Sequence, residues 1–208
     1  MVVHKLTLGT QFQANCYVLE NDKKEALAID IGGDSSEFLK FIEKNNLRLT
    51  KIILTHGHYD HFRGVADVAD ATNAEVFIHK DDAAMLTSAE KSLAFQISNE
   101  VFSPVGKYTV VTEDDIIDFS GEPVRIVHTP GHTPGCVCYI CGDNMFSGDT
   151  LFRMSIGRTD LPGGDYSQII NSLKKLKALG KDADYHVYPG HEGSTSLKFE
   201  INNNPYMR

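Results

Sequence analysis

Long hydrophobic runs are missing from this 208-residue chain, and no apolar stretch approaches the ~20 residues of a membrane-spanning helix. The first residues, Met1-Val2-Val3-His4-Lys5, also lack the pattern of a secretory signal peptide. We therefore expect a cytoplasmic protein without a membrane partner. Since no internal repeat, low-complexity stretch or linker interrupts the chain, we expect residues 1–208 to form a single domain.

An excess of positive charge is also lacking, since the formal net charge is −8. The one basic cluster, Lys174-Lys175-Leu176-Lys177, is interleaved with leucines at helical spacing, which predicts the exposed face of an amphipathic helix. A sequence-independent hold on nucleic acid needs clustered Lys and Arg. We therefore expect a small-molecule partner and no nucleic acid.

Cysteine is scarce, with four residues: Cys16, Cys136, Cys138 and Cys141. A structural zinc site needs two pairs of closely spaced ligands, and Cys16 alone supplies no second pair. The run 135–141 predicts a buried strand in which cysteine acts as a small hydrophobic residue. Redox chemistry at Cys136 is the alternative interpretation.

Histidine and aspartate, by contrast, are concentrated in the pattern His-x-His-x-Asp-His, formed by His56, His58, Asp60 and His61 after the apolar run 51–54. Solvated loops favour Ser, Asn, Gly and Pro, so this composition indicates a metal site rather than an exposed polar loop. Side chains at i and i+2 of an extended backbone point the same way, which lets His56 and His58 bind one ion. Asp60 and His61, displaced along the loop, suit a second ion, since one tetrahedral centre cannot use four ligands and keep an open position.

Three further ligand candidates lie in Gly-rich turns that each follow a strand-like run. They are His132 in the segment 129–135, Asp149 in 147–150 and His191 in 189–192. Glycine and proline at strand ends let a tight backbone aim one side chain at a shared point.

This ordered set, preceded by Asp30 in the segment 28–33, resembles the five-motif signature of the metallo-β-lactamase superfamily. Segments 129–135, 147–152 and 157–160 are similar to its glyoxalase II (hydroxyacylglutathione hydrolase) branch. The resemblance implies an α/β fold, a four-layer αββα sandwich of two mixed sheets flanked by helices. We predict strands near 5–8, 16–19, 26–31, 51–54, 75–78, 116–119, 124–127, 136–140 and 186–188. Helices are predicted near 36–44, 63–71, 81–87, 88–97 and 166–179.

The resemblance also implies a ligand set for two divalent metal ions, zinc first, with iron or manganese as alternatives. One ion is assigned to His56, His58 and His132, the other to Asp60, His61 and His191, with Asp149 bridging them. Asp30 would support the ligand loop from behind and orient a histidine. A metal-bound hydroxide, oriented by Asp60, would then cleave a thioester of the hydroxyacylglutathione type.

Substrate recognition is less defined, because only seventeen residues follow His191 and the C-terminal helical domain of glyoxalase II is expected to be absent. The family also places a tyrosine where this chain has Gly193. Arg158 is the candidate for a substrate carboxylate, and a structural ion pair with Asp160 or Asp165 is the alternative.

Other functions are compatible with the same ligand residues. An iron-dependent persulfide dioxygenase would share His56, His58, His132 and Asp149, and other esters, lactones or thioesters would suit the same hydrolytic site. A β-lactamase ranks lower because no export signal is seen, and a non-enzymatic module ranks lowest because no ligand position is missing. The segment 85–115 is either ordinary packing or a lid. The sequence does not define the oligomeric state.

Overall fold

The protein is described by a computed structural model that covers residues 1–8, 14–97, 101–181 and 183–208. The backbone divides into two compact units. The first comprises residues 1–78 and 83–111, and the second comprises residues 79–82 and 112–208. Among the described residues, no helix has the length and apolar character needed to cross a membrane.

The first unit is built on a six-stranded mixed sheet with the strand order β1-β2-β3-β4-β5-β6. Strands β1 to β3 are antiparallel, whereas β3, β4 and β5 are parallel. The strand bounds are β1 Val2–Leu6, β2 Cys16–Glu20, β3 Glu25–Ile29, β4 Arg48–Ile53, β5 Glu75–His79 and β6 Thr109–Val111. The helices are α1 Ser35–Lys44, α2 Tyr59–Phe62, α3 Val65–Thr72 and α4 Ala94–Ile97.

Helix α1 shows how the sequence defines these elements. The side chain of Asp34 accepts hydrogen bonds from the backbone N–H groups of Ser36 and Glu37, which caps the helix start. Phe38 and Ile42, four residues apart, are the buried positions of the helix. They join the core of the first unit, which includes residues of β2, β3, β4 and β5.

The second unit contains a six-stranded mixed sheet with the order β14-β13-β10-β9-β8-β7 and a two-stranded ribbon of β11 and β12. The parallel pair is β10 with β13. The strand bounds are β7 Ile116–Phe119, β8 Glu122–His128, β9 Val137–Cys141, β10 Asn144–Gly148, β11 Leu151–Phe152, β12 Ser155–Ile156, β13 His186–Pro189 and β14 Thr195–Ser196. The helices are α5 Tyr166–Leu179 and α6 Leu197–Asn203.

Helix α5 has the bounds predicted from its periodicity. Ile169, Leu173 and Leu176 are buried, while Lys174 and Lys175 are exposed, as predicted for the basic cluster. Full burial of such aliphatic side chains contributes roughly 1.5–3 kcal/mol each. The helix therefore attaches to the second unit by one apolar face.

All four cysteines are free thiols and buried, and Cys138 and Cys141 lie in β9, as expected from the buried strand predicted over 135–141. Burial raises the pKa of the Cys138 thiol to about 11 and raises the pKa of Cys136 well above its usual range. The thiolate is the reactive form of cysteine, so neither group favours redox chemistry at neutral pH.

The helices predicted over 81–87 and 88–97 are wrong in extent. The structure has a 3-10 turn at Ala83–Met85 and the single turn α4. Leu93 adopts a left-handed φ of 61°, and the carbonyl of Ser92 accepts a hydrogen bond from the Tyr59 N–H at 2.9 Å. These tertiary constraints override local helix propensity. Strand β1 also begins earlier than predicted, and β6, β11, β12, β14, α2 and α6 were not predicted.

The segment 85–115 supplies several core residues to the first unit. Leu86, Ala94 and Val105 are buried, and the Val105 N–H donates to the Leu86 carbonyl at 3.0 Å. This packing accounts for those apolar residues. Residues 98–100 lie outside the described part of the chain, and a lid function stays a prediction.

Candidate metal centre

The N-terminal ligand group comprises His56, His58, Asp60 and His61 of the first unit. The His56 ring lies 4.0 Å from that of His61 and 4.9 Å from that of His58, measured between centroids. All three imidazoles are buried. Three buried imidazoles packed this closely differ from a solvated loop and have the ligand chemistry of a transition-metal site.

Asp60 and His61 lie on the short helix α2 rather than on an extension of the loop. This turn fits tightly against the segment after β3, because a Cβ on Gly32 would lie 1.5 Å from the Asp60 carbonyl oxygen. The His61 N–H donates to the His58 carbonyl at 3.0 Å. Nε2 of His61 and Oδ2 of Asp60 are 3.9 Å apart, within the roughly 4.2 Å that two ligands of one ion can span.

Asp30 supports this group from behind. It is buried and adopts a left-handed φ of 54°. Its Oδ2 accepts from Nδ1 of His61 at 2.8 Å and from Oγ1 of Thr55 at 2.7 Å, while Oδ1 accepts from the Thr55 N–H at 2.9 Å. A carboxylate on Nδ1 fixes the imidazole with its Nε2 lone pair available to a metal. The family resemblance implied such a supporting role for Asp30, and its effect on a bound metal stays a prediction.

The C-terminal ligand group comprises His132, Asp149 and His191 of the second unit. Oδ2 of Asp149 lies 3.5 Å from Nε2 of His132 and also 3.5 Å from Nε2 of His191. Two ligands bound to one tetrahedral zinc at 2.0–2.1 Å are separated by about 3.3 Å. Both separations therefore fit metal ligation, and one carboxylate oxygen faces both histidines.

Backbone contacts orient His132 in this group. Its Nδ1 lies 2.7 Å from the carbonyl oxygen of Arg158, which accepts a hydrogen bond when Nδ1 carries the proton. In that tautomer Nε2 carries no proton, and its lone pair lies on the side of Asp149. The Arg158 carbonyl can approach His132 because the preceding residue, Gly157, has no side chain. A Cβ on Gly157 would lie 1.8 Å from the Asp149 carbonyl oxygen.

Asp82 holds the loop that carries His132, and sequence reasoning did not identify it. Its side chain is fully buried. Oδ2 accepts from Oγ1 of Thr133 at 2.6 Å, and Oδ1 accepts from the Gly135 N–H at 2.7 Å. A Cβ on Gly135 would lie 2.5 Å from Cγ of Asp82, so this contact requires glycine. The partners lie some fifty residues along the chain, where no local pattern connects them.

We predict that Asp82→Asn weakens metal binding roughly 10–100-fold, the range for groups that support a ligand from behind. The asparagine amide places an N–H group against the Thr133 hydroxyl or the Gly135 N–H, both of which donate hydrogen bonds to Asp82. Asp81→Asn, which changes the exposed neighbouring carboxylate, is the matched control. Competition of each loaded variant with a chelator measures the effect, and equal affinities in the two variants would contradict the assignment.

A second histidine cluster in the second unit combines His79, Asp81 and His128. The two imidazoles are stacked, with centroids 4.2 Å apart and planes at 18°. Burial, followed by the nearby His128, lowers the pKa of His79 to about 4, so this ring is neutral at pH 7. Because lone pairs lie in the ring planes, nearly parallel rings do not converge on one ion. The cluster therefore has the geometry of a packing contact.

Arg158 forms the ion pair that was one of its two predicted roles. Its Nε and Nη2 donate to the two carboxylate oxygens of Asp160, each at 2.7 Å. The guanidinium lowers the pKa of Asp160 to about 2, chiefly through these hydrogen bonds. Both side chains are exposed, so the pair contributes little to stability.

Comparison with known proteins agrees with this fold and these motifs. The family model of the metallo-β-lactamase superfamily matches residues 9–191, and the chain belongs to that superfamily. A curated relative is the hydroxyacylglutathione hydrolase GloC of Haemophilus influenzae, 34% identical over 203 residues, with 95% of this chain and 94% of the relative covered. The membership and such relatives support a metal-dependent hydrolase.

Two solved structures are similar over nearly their whole length. BLEG-1, a B3 metallo-β-lactamase, has a TM-score of 0.92 at 31% identity, with 99% of both chains covered. TTHA1623, solved in a di-iron-bound form, has a TM-score of 0.85 at 32% identity, with 98% of this chain and 99% of that chain covered. These similarities confirm the predicted α/β class with two mixed sheets and flanking helices.

Proposed function

We propose that the protein is a dinuclear metal-dependent hydrolase that cleaves thioesters of the hydroxyacylglutathione type. The observation that carries this proposal is the position of Asp149 Oδ2, which lies at the same distance from Nε2 of His132 and from Nε2 of His191. A carboxylate shared by two ligand sets suits a bridge between two ions. The similarity to GloC supports the substrate class, and the di-iron form of TTHA1623 supports two metals.

The proposal joins the two ligand groups into one centre. This assignment is supported by the family membership. It is also supported by the distribution of the ligands, since neither group alone supplies the ligands for two ions together with a carboxylate that bridges them. One ion is assigned to His56, His58 and His132, the other to Asp60, His61 and His191, with Asp149 between them. The imidazole and carboxylate ligands, without thiolate, suit zinc, iron and manganese.

Divalent ions held by these residues would supply a water of lowered pKa and would polarise the scissile carbonyl. The chain itself keeps the ligands in position. Asp30 and the Arg158 carbonyl each hold one imidazole by Nδ1, and Asp60 is proposed to orient the attacking water. A thiol is acidic enough to leave as its anion near neutral pH, so a thioester needs no protein acid at the leaving sulfur.

The substrate contacts follow from what surrounds the C-terminal ligand group. Among the described residues, apart from the two chain neighbours of Gly193, no atom lies within 4 Å of the position of a Cβ on this glycine, so it offers open space where the family has an aromatic ring. Arg158 remains a proposed carboxylate contact, but its guanidinium must first leave Asp160. We therefore propose a high KM for glutathione thioesters with measurable turnover. A cytoplasmic location and a small-molecule partner accompany this proposal.

We predict two metal ions per chain, because seven ligands exceed what one open catalytic centre uses. Elemental analysis of protein loaded separately with zinc, iron and manganese measures the stoichiometry. A value that stays at one with excess metal would contradict the dinuclear centre and favour the mononuclear iron dioxygenase.

β-Lactam hydrolysis is the second candidate, because BLEG-1 is similar over 99% of both chains. The two reactions differ in the leaving group: a β-lactam nitrogen must be protonated as it leaves, whereas a thiolate need not be. Because we assign the role of a dedicated acid to none of the described residues, we favour the thioester.

The deciding experiment compares S-lactoylglutathione, a chromogenic β-lactam and simple ester and lactone substrates on the same metal-loaded protein. Oxygen consumption with glutathione persulfide is measured on the iron form. We expect the highest kcat/KM for the thioester. Faster β-lactam cleavage would favour the second candidate, and rapid oxygen uptake without thioester cleavage would establish the dioxygenase instead.

A further inference from the structure

A cavity of about 280 Å³ in the second unit lies beside the chain that leaves the C-terminal ligand group. We call it the Arg153 pocket. It is lined by Arg153 in the turn between β11 and β12, by Ser194, Thr195 and Ser196, and by Phe199 of α6. None of these residues has a role in the proposed metal centre.

The walls of the pocket are held by two buried side chains of α6 and its C-terminal end. Oε2 of Glu200 accepts from the Met154 N–H at 2.8 Å on one wall, and Oε1 accepts from Oγ1 of Thr195 at 2.6 Å on the other. Nδ2 of Asn204 donates to the Ser155 carbonyl at 3.1 Å, which also fixes the turn. The turn that carries Arg153 is therefore fixed before a ligand arrives, which reduces the entropy lost on binding.

Arg153 supplies the charge of this pocket. Its side chain is exposed, and among the described residues the structure gives its guanidinium no carboxylate partner within 4 Å. Arg158, by contrast, donates to both oxygens of Asp160. Oγ of Ser196 accepts from the Phe199 N–H at 3.2 Å and keeps its own hydrogen for a ligand. The pocket thus offers a cation and a hydroxyl donor on a chain of net charge −8.

The pocket lies within reach of the proposed reaction centre. The Phe152 ring packs edge-on against the ring of His191, at 6.0 Å between centroids, and Arg153 is the next residue. Ser194 is three residues beyond His191, a span of at most about 10 Å. In glutathione, the glycine carboxylate and the α-carboxylate of the γ-linked glutamate each lie one residue from the cysteine, about 7 Å or more from its sulfur.

We propose that the Arg153 pocket binds a carboxylate of the thiol half of the substrate, as glutathione would present it. The inference rests on the proposed thioesterase function and names its specificity-determining residue. Arginine suits this role because its planar guanidinium binds a carboxylate through two parallel hydrogen bonds. The remote negative charge of the substrate, rather than its acyl group, is what the pocket recognises.

The test compares two thioesters with the same lactoyl group on the metal-loaded full chain. S-lactoylglutathione carries two carboxylates in its thiol half, and S-lactoyl-N-acetylcysteamine carries none. Arg153→Gln should lower the kcat/KM ratio of the first to the second roughly tenfold to hundredfold, the range for losing a hydrogen bond between charged groups. The change should lie in KM, and Arg153→Lys should restore part of it.

A matched variant separates this effect from general electrostatics. Lys174→Gln removes one charge from the exposed face of α5 and should change the ratio less than about threefold, as expected for a screened surface charge. Arg158→Gln removes the other guanidinium that is proposed to contact a substrate carboxylate, and in the structure this guanidinium is bound to Asp160. A ratio that falls only with Arg158→Gln would assign the carboxylate to Arg158 and overturn the proposal.

Calorimetric titration with S-methylglutathione, which cannot be hydrolysed, gives a measurement independent of turnover. Arg153→Gln should weaken its binding by the same factor while the melting temperature stays close to that of the control variant Lys174→Gln. If the wild-type protein cleaves neither thioester but this difference in binding is found, the proposed function fails and the pocket stands. Equal binding by wild type and Arg153→Gln would overturn the pocket assignment.

Discussion

Asp149→Asn should lower kcat/KM by at least about a hundredfold and reduce the metal content, because a ligand change should cost no less than the loss of a supporting group. The substitution keeps the size of the side chain but removes its charge. In the structure one oxygen of this carboxylate faces Nε2 of both His132 and His191. An amide is a poorer ligand and cannot serve two cations as a charged bridge. Elemental analysis and steady-state kinetics measure the two effects.

Melting temperatures, with and without added metal, show whether the loss lies in metal binding. A ligand that binds only the folded state stabilises it in proportion to the logarithm of its concentration over Kd. The metal-free Asp149→Asn protein should therefore melt near the wild type but gain less from zinc. Asp165→Asn is the control, since this residue caps α5 by accepting from the Gln168 N–H and asparagine caps equally well. Identical metal content and turnover in the two variants would refute the bridging role.

The regular elements were predictable where local sequence and tertiary burial agree. Helix α5 combines an Asp165 cap with buried residues at helical spacing, and its predicted bounds are those of the structure. The segment 81–97 has apolar residues too, yet it folds around hydrogen bonds to other elements, such as that from Tyr59 to Ser92. Those partners lie outside any local window, so periodicity alone predicts helices that the chain does not form.

The same distinction applies to the candidate site. The N-terminal ligand group was visible in the sequence because its four members lie within six positions. The C-terminal group was found through Gly-rich turns and the family resemblance. Asp82 was not found, because its contacts with Thr133 and Gly135 exist only in the folded chain. Arg153 likewise has no motif, and its candidacy depends on the fixed turn that presents it.

Asp30→Asn should remove the ion assigned to Asp60, His61 and His191, with an affinity loss of at least about 10–100-fold. Oδ2 of Asp30 accepts a hydrogen bond from the protonated Nδ1 of His61, which keeps Nε2 available to a metal. The amide of asparagine can instead donate to Nδ1 and so stabilise the tautomer with its proton on Nε2. That tautomer has no lone pair for the ion, just as a wrongly protonated histidine cannot act as a base in a catalytic triad.

The backbone should tolerate this variant, because asparagine adopts left-handed conformations such as the φ of 54° at position 30. Circular dichroism should therefore remain that of the wild type while chelator competition shows the weaker ion. Asp34→Asn is the control, since this N-cap of α1 is exposed and asparagine caps as well as aspartate. Two ions held with unchanged affinity in Asp30→Asn would mean that the carboxylate stabilises the loop without setting the His61 tautomer. Loss of one ion in a folded protein would instead place the control of metal affinity in the hydrogen bond behind the ligand.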